Sequence, residues 1–139
     1  MKRVMFVLAL IALVACDGNR VDSPAAVVKA RFEAFARLDL GRVRDLTCDR
    51  EREALDQTLN EFGGAADLES MADRIQIDVS GLTYTEKSAG SQDAIVHISG
   101  ALKVSTLGNT QQQSIDTDVP AVMEDGAWKV CSADLPGGN

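Results

Sequence analysis

The feature that most restricts what this chain can become is a change of period at Arg74. Before it, apolar residues recur every three or four positions, and after it they alternate one for one with polar residues. The first pattern turns one stripe of a helix toward a core, and the second sends successive side chains of a strand to opposite faces. Three helices followed by four antiparallel strands define an α+β chain, with the helices gathered on one face of the sheet.

Within the helical half, Ser23 followed by Pro24 predicts a helix start, with the serine as cap and the proline where a missing N–H costs nothing. Val28, Phe32, Phe35 and Leu38 hold one face, so the helix is expected to run to about Leu38. Lys29, Arg31, Glu33 and Arg37 fall on the other side and read as a solvated face. Asp39 caps a short second helix through Thr47, with Gly41 in its first turn and Val43 and Leu46 as contacts. Asp49 opens a third, where Leu55, Leu59 and Phe62 keep the spacing until Gly63 and Gly64 end it. Residues 65–73 read as a loop or a single turn.

In the strand half, Ile75, Ile77 and Val79 share a face, and Gly81 ahead of Leu82 and Tyr84 predicts a bulge. After a polar turn at 88–92, a second strand over 93–106 carries Ala94, Val96, Ile98, Leu102 and Val104 on one side. His97, Ser99, Lys103 and Ser105 occupy its other side. Gly108 and Asn109 predict a hairpin. A third strand over 112–124 places Ile115, Val119, Ala121 and Met123 inward and Ser114, Asp116 and Asp118 outward. Pro120 argues for a strand edge or a bulge there. Asp125 and Gly126 form the strongest hairpin signal, leading to a fourth strand over 127–132.

Residues 1–16 decide where the chain goes. Lys2 and Arg3 precede an unbroken apolar run that ends at Cys16. The run is shorter than the about 20 residues a spanning helix needs, and it suits the roughly 7 to 15 of a secretion signal. Leu13, Val14, Ala15 and Cys16 resemble the bacterial lipobox. That resemblance implies a signal peptide over 1–15 and a lipidated N-terminus at Cys16. The short polar stretch that follows reads as a tether, giving 16–22, the mature length suits a single domain over 23–135, and the Gly-rich end reads as a flexible tail over 136–139. Two acyl chains on Cys16 would hold the protein durably, where one alone gives marginal binding. Asp17 after the cysteine resembles the signal that retains enteric Gram-negative lipoproteins on the inner membrane. The implied location is the outer face of the cytoplasmic membrane, periplasmic in a Gram-negative cell.

The chain carries a formal −7, and loss of residues 1–15 removes Lys2 and Arg3 and no acid, leaving 12 basic against 21 acidic residues, or −9. Such a surface repels phosphate backbones, so nucleic acid is not an expected partner, and it does not lie flat on anionic lipid. With Cys16 given to lipid, Cys48 and Cys131 remain. In an exported chain that even remainder points to a disulfide, the alternative being two buried thiols. Two cysteines and the single histidine, His97, at these separations do not make a metal site.

The order of elements resembles the nuclear-transport-factor-2-like, cystatin-like superfamily of α+β cones, and in particular its small exported bacterial lipoproteins. The residues that carry the resemblance are the opening helices VVKARFEAFARLDLGRVRDLTC, with Asp39 between the first two, and the closing hairpin EDGAWKVC. It implies a long first helix packed across a curved four-stranded antiparallel sheet, and a disulfide joining Cys48 to Cys131. Simple alternation sets Cys131 on the face opposite Trp128 and Val130, so that bond requires a twist or a strand edge.

This fold hosts isomerases, dehydratases, transport factors and binding domains, so it names no activity. An enzyme would need an Asp or His base beside a Tyr donor in the pocket between helix and sheet. His97, Asp78, Asp116 and Asp118 all fall outward, and no carboxylate falls clearly on an inward strand face. Tyr84 lies past the bulge, where a packed ring with its hydroxyl near solvent is expected. Ser114, Asp116 and Asp118 could hold a hard cation, but read as solubilising groups. There is no Gly-rich phosphate loop, GxSxG or HExxH sequence. The expectation is a non-catalytic, cofactor-free protein on the membrane through its lipid. It would bind a small apolar ligand in a pocket lined by Phe32, Phe35, Tyr84, Val96, Ile98 and Leu102, or an envelope protein at its surface or an exposed sheet edge. A filled core is the plainer reading of those apolar residues. The rivals are an isomerase- or dehydratase-like enzyme and an accessory or immunity-type protein of a secreted system.

Overall fold

A computed structural model describes residues 21–136. The expected signal peptide, Cys16 and the end of the tail lie outside the described residues. Helix α1 spans Pro24–Ala36, α2 Leu40–Asp45, α3 Asp49–Glu61 and α4 Ala65–Ser70. Strands β1 (Ile75–Ala89), β2 (Asp93–Thr106), β3 (Asn109–Glu124) and β4 (Ala127–Val130) form one antiparallel sheet in that order. Helix α1 touches all four strands.

The expected starts are built as the residue chemistry requires. The Ser23 hydroxyl accepts the Ala26 N–H at 3.1 Å, and Asp39 Oδ1 accepts the Arg42 N–H at 3.0 Å. Asp49 opens α3, where its N–H donates to both Glu124 carboxylate oxygens. A side chain from the far end of β3 therefore fills one of the orphan donors of that helix. Leu38 takes a left-handed φ of 55° and stays buried, with the Asp39 N–H returning to Ala34 O to close α1 at Ala36.

The bulge expected at Gly81 is present. Asp78 pairs with Lys103 and Gly81 with Ala101, so β1 carries one residue more than β2 between these pairs. Gly81 and Gly100 approach so closely that a Cβ on Gly100 would collide with the Gly81 carbonyl oxygen. A second shift, between Glu86 and Ser88, bends the same strand again. After the first bulge Leu82 and Tyr84 face inward with Ile75, Ile77 and Val79.

Several expectations need correction. Residues 65–70 form α4 rather than a loop. The β2–β3 turn is centred on Leu107 and Gly108, both at positive φ, and Asn109 already belongs to β3. Pro120, by contrast, does stand at a strand edge, since β4 pairs with β3 only over Ala121 to Glu124. It is tolerated because its main chain faces β4 where β4 ends, with Cys131 N–H donating to Pro120 O at 2.8 Å. Arg31, expected on the solvated side of α1, is 2% exposed. Val27, Arg31 and Ala34 form a second buried stripe beside Val28 and Phe32, because the segment after β4 crosses the flank of α1. A helix enclosed on two sides has no simple polar face.

Two apolar clusters follow. One lies between α1 and the sheet and includes Val28, Phe32, Val96, Ile98, Val119, Ala121 and Val130. The other joins Ala34, Leu40, Val43, Leu55 and Leu59 to Phe35, Leu68, Ala133 and Leu135.

The Cys48–Cys131 bond is present, with Cα atoms 5.0 Å apart and a sequence separation of 83. Val130 N–H donates to Leu46 O and Cys48 N–H donates to Val130 O, forming a parallel bridge between Thr47 and Val130. In parallel register, the residue after Thr47 lies beside the residue after Val130 and on the same face. The objection from simple alternation is thus met at a strand edge.

Candidate functional site

Because α1 is shorter than β1, β2 and β3, spaces open on its two flanks and at its C-terminal end. The first groove, of about 570 Å³, lies between Lys29, Glu33 and Ala36 of α1 with Arg37 just after it, and residues 77–80, Leu82 and Tyr84 of β1. The Tyr84 ring meets Phe32 edge-on, with centroids 5.9 Å apart and planes at 75°. Its hydroxyl is buried and has no hydrogen-bond partner among the described residues, against the expectation of a solvated one. Burial first, and the charge of Glu33 second, push the phenol up to about 12. Tyr84 is therefore a neutral donor across the physiological range. Glu33 is also within 3.8 Å of Lys29 one turn away.

The second groove is the most apolar and lies at the C-terminal end of α1. Phe35, Leu38, Phe62, Leu68, Ile75, Ile77, Leu135 and Pro136 line about 430 Å³, with Thr58, Glu61 and Asp134 at its margin. Phe62 is 60% exposed. It keeps the periodicity of α3, but α3 ends at Glu61 and no described residue buries the ring.

The third groove, of about 320 Å³, separates residues 113–119 of β3 from residues 132–136, with Phe32 in its wall. Arg31 Nη2 donates to Asp134 O at 3.1 Å and holds this last segment against α1. Desolvation lowers the Arg31 guanidinium to about 10 despite the opposing pull of Asp134, and its Nε lacks a partner among the described residues.

On the outer face of the sheet, His97 Nδ1 lies 2.7 Å from Asp118 Oδ1 and Nε2 lies 3.3 Å from Asp116 Oδ1. Lys87 Nζ reaches the other Asp118 oxygen at 2.9 Å. The hydrogen bond from Lys87, then that from His97, keeps the Asp118 carboxyl below its usual range. The two carboxylates are engaged with these bases rather than converging with Ser114 on a cation position. No trio of His, Cys, Asp or Glu among the described residues is arranged to hold a metal.

The six residues expected to line one pocket are dispersed. Val96 and Ile98 are fully buried in the sheet-side core, Leu102 is buried with them on β2, and Phe32 packs in the same core. Phe35 borders the second groove and Tyr84 the first. Glu33, Phe62, Leu68, Leu135 and Pro136 were not among the expected site residues. The one local signal for them was Phe62 standing immediately before Gly63 and Gly64, where a helix stops and its last apolar side chain loses its neighbours.

No family model matches the sequence, and no curated protein matches it. Twelve solved chains do resemble the fold. One is the solution structure of a SEC-C motif containing protein from Rhodopseudomonas palustris. It superposes with a TM-score of 0.56 at 17% sequence identity, covering 79% of this chain and 76% of that one. At that identity the likeness is one of fold: helices on a four-stranded antiparallel sheet.

Proposed function

We propose that this chain is an exported lipoprotein whose domain, of the cystatin-like cone type, binds a small apolar ligand and performs no chemistry on it. Cys16 would carry the lipid and hold the domain on the outer face of the cytoplasmic membrane. The observation that carries the reading is the second groove. Its 430 Å³ lies within the range of about 300–1,000 Å³ usual for small-molecule sites, and apolar side chains dominate its lining. The Cys48–Cys131 bond supports an oxidising compartment, where such bonds persist. The described chain enters α1 at its N-terminus, and 13 helical residues at 1.5 Å each put about 20 Å between that point and the groove. A ligand would thus be taken at the end facing away from the bilayer.

The test is the mass of protein extracted from its own membranes, recorded natively and then denatured with and without reductant. The expected result is residues 16–139 plus acyl chains, two hydrogens light until reduction, with a noncovalent adduct that Phe62→Asp abolishes. A mass that retains residues 1–15 or lacks lipid overturns the anchor. An adduct-free spectrum, together with no displacement of an apolar fluorophore, overturns the ligand.

A second reading, an isomerase- or dehydratase-like enzyme, is favoured by one observation, the unpartnered Tyr84 hydroxyl beside Glu33 in the first groove. A substrate carbonyl oxygen would accept that idle hydrogen bond while Glu33 moved a proton. Tyr84→Phe separates the readings. Loss of a structural but unsatisfied hydroxyl leaves stability unchanged or higher, whereas an enzyme loses turnover.

A further inference from the structure

The sheet has two long open edges, along β1 and along the part of β3 that β4 leaves uncovered, and they are protected unequally. Strand β1 is interrupted by two bulges, and such irregularities discourage another strand from pairing. Strand β3 keeps an unbroken register with β2 from Asn109 to Val122, while β4 covers only Ala121 to Glu124 on its other side. The remainder of that side is an edge of unbroken register. Pro120 turns its carbonyl to Cys131, and main-chain groups alternate sides along an antiparallel strand. Those of Gln112, Ser114, Asp116 and Asp118 therefore face away from β2. Among the described residues, no main-chain hydrogen bond joins them to the segment after β4. Instead the third groove lies there, with Phe32, Leu135 and Pro136 in its wall.

The charge of the groove selects its occupant. Its lining contains Asp116, Asp118 and Asp134 and neither Lys nor Arg. Asp116 is 83% exposed at its side chain. A second copy docked edge to edge would set aspartates against aspartates, which destabilises a strand pair. We propose that the open edge of β3 binds an extended cationic peptide as a fifth strand, with Lys or Arg at alternate positions flanking a β-branched apolar residue. The basic side chains lie opposite Asp116 and Asp118 on the outer face. The apolar residue between them, opposite Thr117, points into the groove toward Phe32. Main-chain bonds supply affinity and the alternation supplies specificity. This site shares Asp134, Leu135 and Pro136 with the apolar-ligand groove, but it rests on the edge of β3 and not on that reading.

The test uses the capped heptapeptide Thr-Lys-Val-Lys-Val-Lys-Thr, fluorescently labelled, with the oxidised protein. Binding is expected to weaken with salt and to fall at least tenfold in Asp116→Asn/Asp118→Asn. It is expected to strengthen in Lys87→Ala, which removes the lysine from Asp118 Oδ2 and leaves only His97 on that carboxylate. A peptide N-methylated on one edge should not bind, and amide exchange should slow at 112, 114, 116 and 118 but not at 113, 115 and 117. Equal binding of the Glu-for-Lys peptide, unchanged exchange along 112–118 at saturating peptide, or protein dimerisation through this edge would each overturn the proposal. The N-methyl comparison and the exchange pattern are read on the unmutated protein, so neither depends on a variant that folds.

Discussion

The two ends of this molecule are built on opposite terms. At the end where the described chain enters α1, β4 completes the sheet, residues 46–48 pair beside it, and Cys48–Cys131 locks the arrangement. Ala25 N–H bonds Glu86 near the finish of β1 at the same end. At the other end, α1 stops on a left-handed Leu38, the β2–β3 hairpin leaves Leu107 88% exposed, and Phe62 and Met71 also reach solvent. Covalent and hydrogen-bonded closure is concentrated where the described chain enters α1, and uncovered apolar surface at the opposite end. Rigidity and ligand-sized space are thus separated, so disturbing one need not abolish the other.

The largest test of that separation is removal of the bond. Cys48→Ser/Cys131→Ser should cost about 4–5 kcal/mol on the chain-entropy account of an 83-residue loop. Calorimetry should show the lower Tm, and hydrogen exchange should rise first at β4 and residues 46–48 rather than in β2. Next comes the strap that joins the ends. Arg31→Glu would bury an uncompensated anion near Asp134 and cost about 3–5 kcal/mol, while Arg31→Met should stay within about 1 kcal/mol of the parent. Denaturant titration of both distinguishes a latch from a filler.

Alkali should act on the flank between the ends. Below about pH 10 Tyr84 is protonated whether the chain is folded or not. Above it the unfolded chain ionises while the folded one holds its proton to about 12, so stability falls across that interval. Tyr84→Phe should remove this dependence in pH-resolved thermal melts. Asp118 behaves in the opposite sense. Its carboxyl is lowered when folded, so its contribution is present above the ordinary carboxylate value and lost as pH falls through the lowered one. Asp118→Asn should blunt that acid response. The smallest stability change, within about 0.5 kcal/mol, is expected for Phe62→Asp at the open end, where apolar-fluorophore binding should nevertheless disappear.

Much of the architecture was legible in the residues. The period switch near Arg74, the Ser23–Pro24 start, the Asp39 cap, the Gly81 bulge and the Asp125–Gly126 turn are all local statements of geometry, and each is present in the fold. The site was less legible. Val96 and Ile98 have the apolarity of pocket residues, but whether an apolar side chain meets another atom or empty space depends on what lies across from it. Arg31 was misread for a related reason, since its sequence neighbours do not reveal that residues 132–136 cross above it. The α4 segment lacks a strong stripe, its contact with the helical core being made by Leu68.

By itself the sequence determined the class, the order of elements, the inward face of each strand and the outward place of His97, because those depend on backbone periods of 3.6 and 2. Only the tertiary structure decided that β4 is too short to cover β3, that residues 46–48 run parallel to it and bring Cys48 beside Cys131, and that α1 stops short of Phe62. These are matters of relative length and register between segments far apart in the chain. They follow from how the pieces pack together, which no single window of sequence encodes.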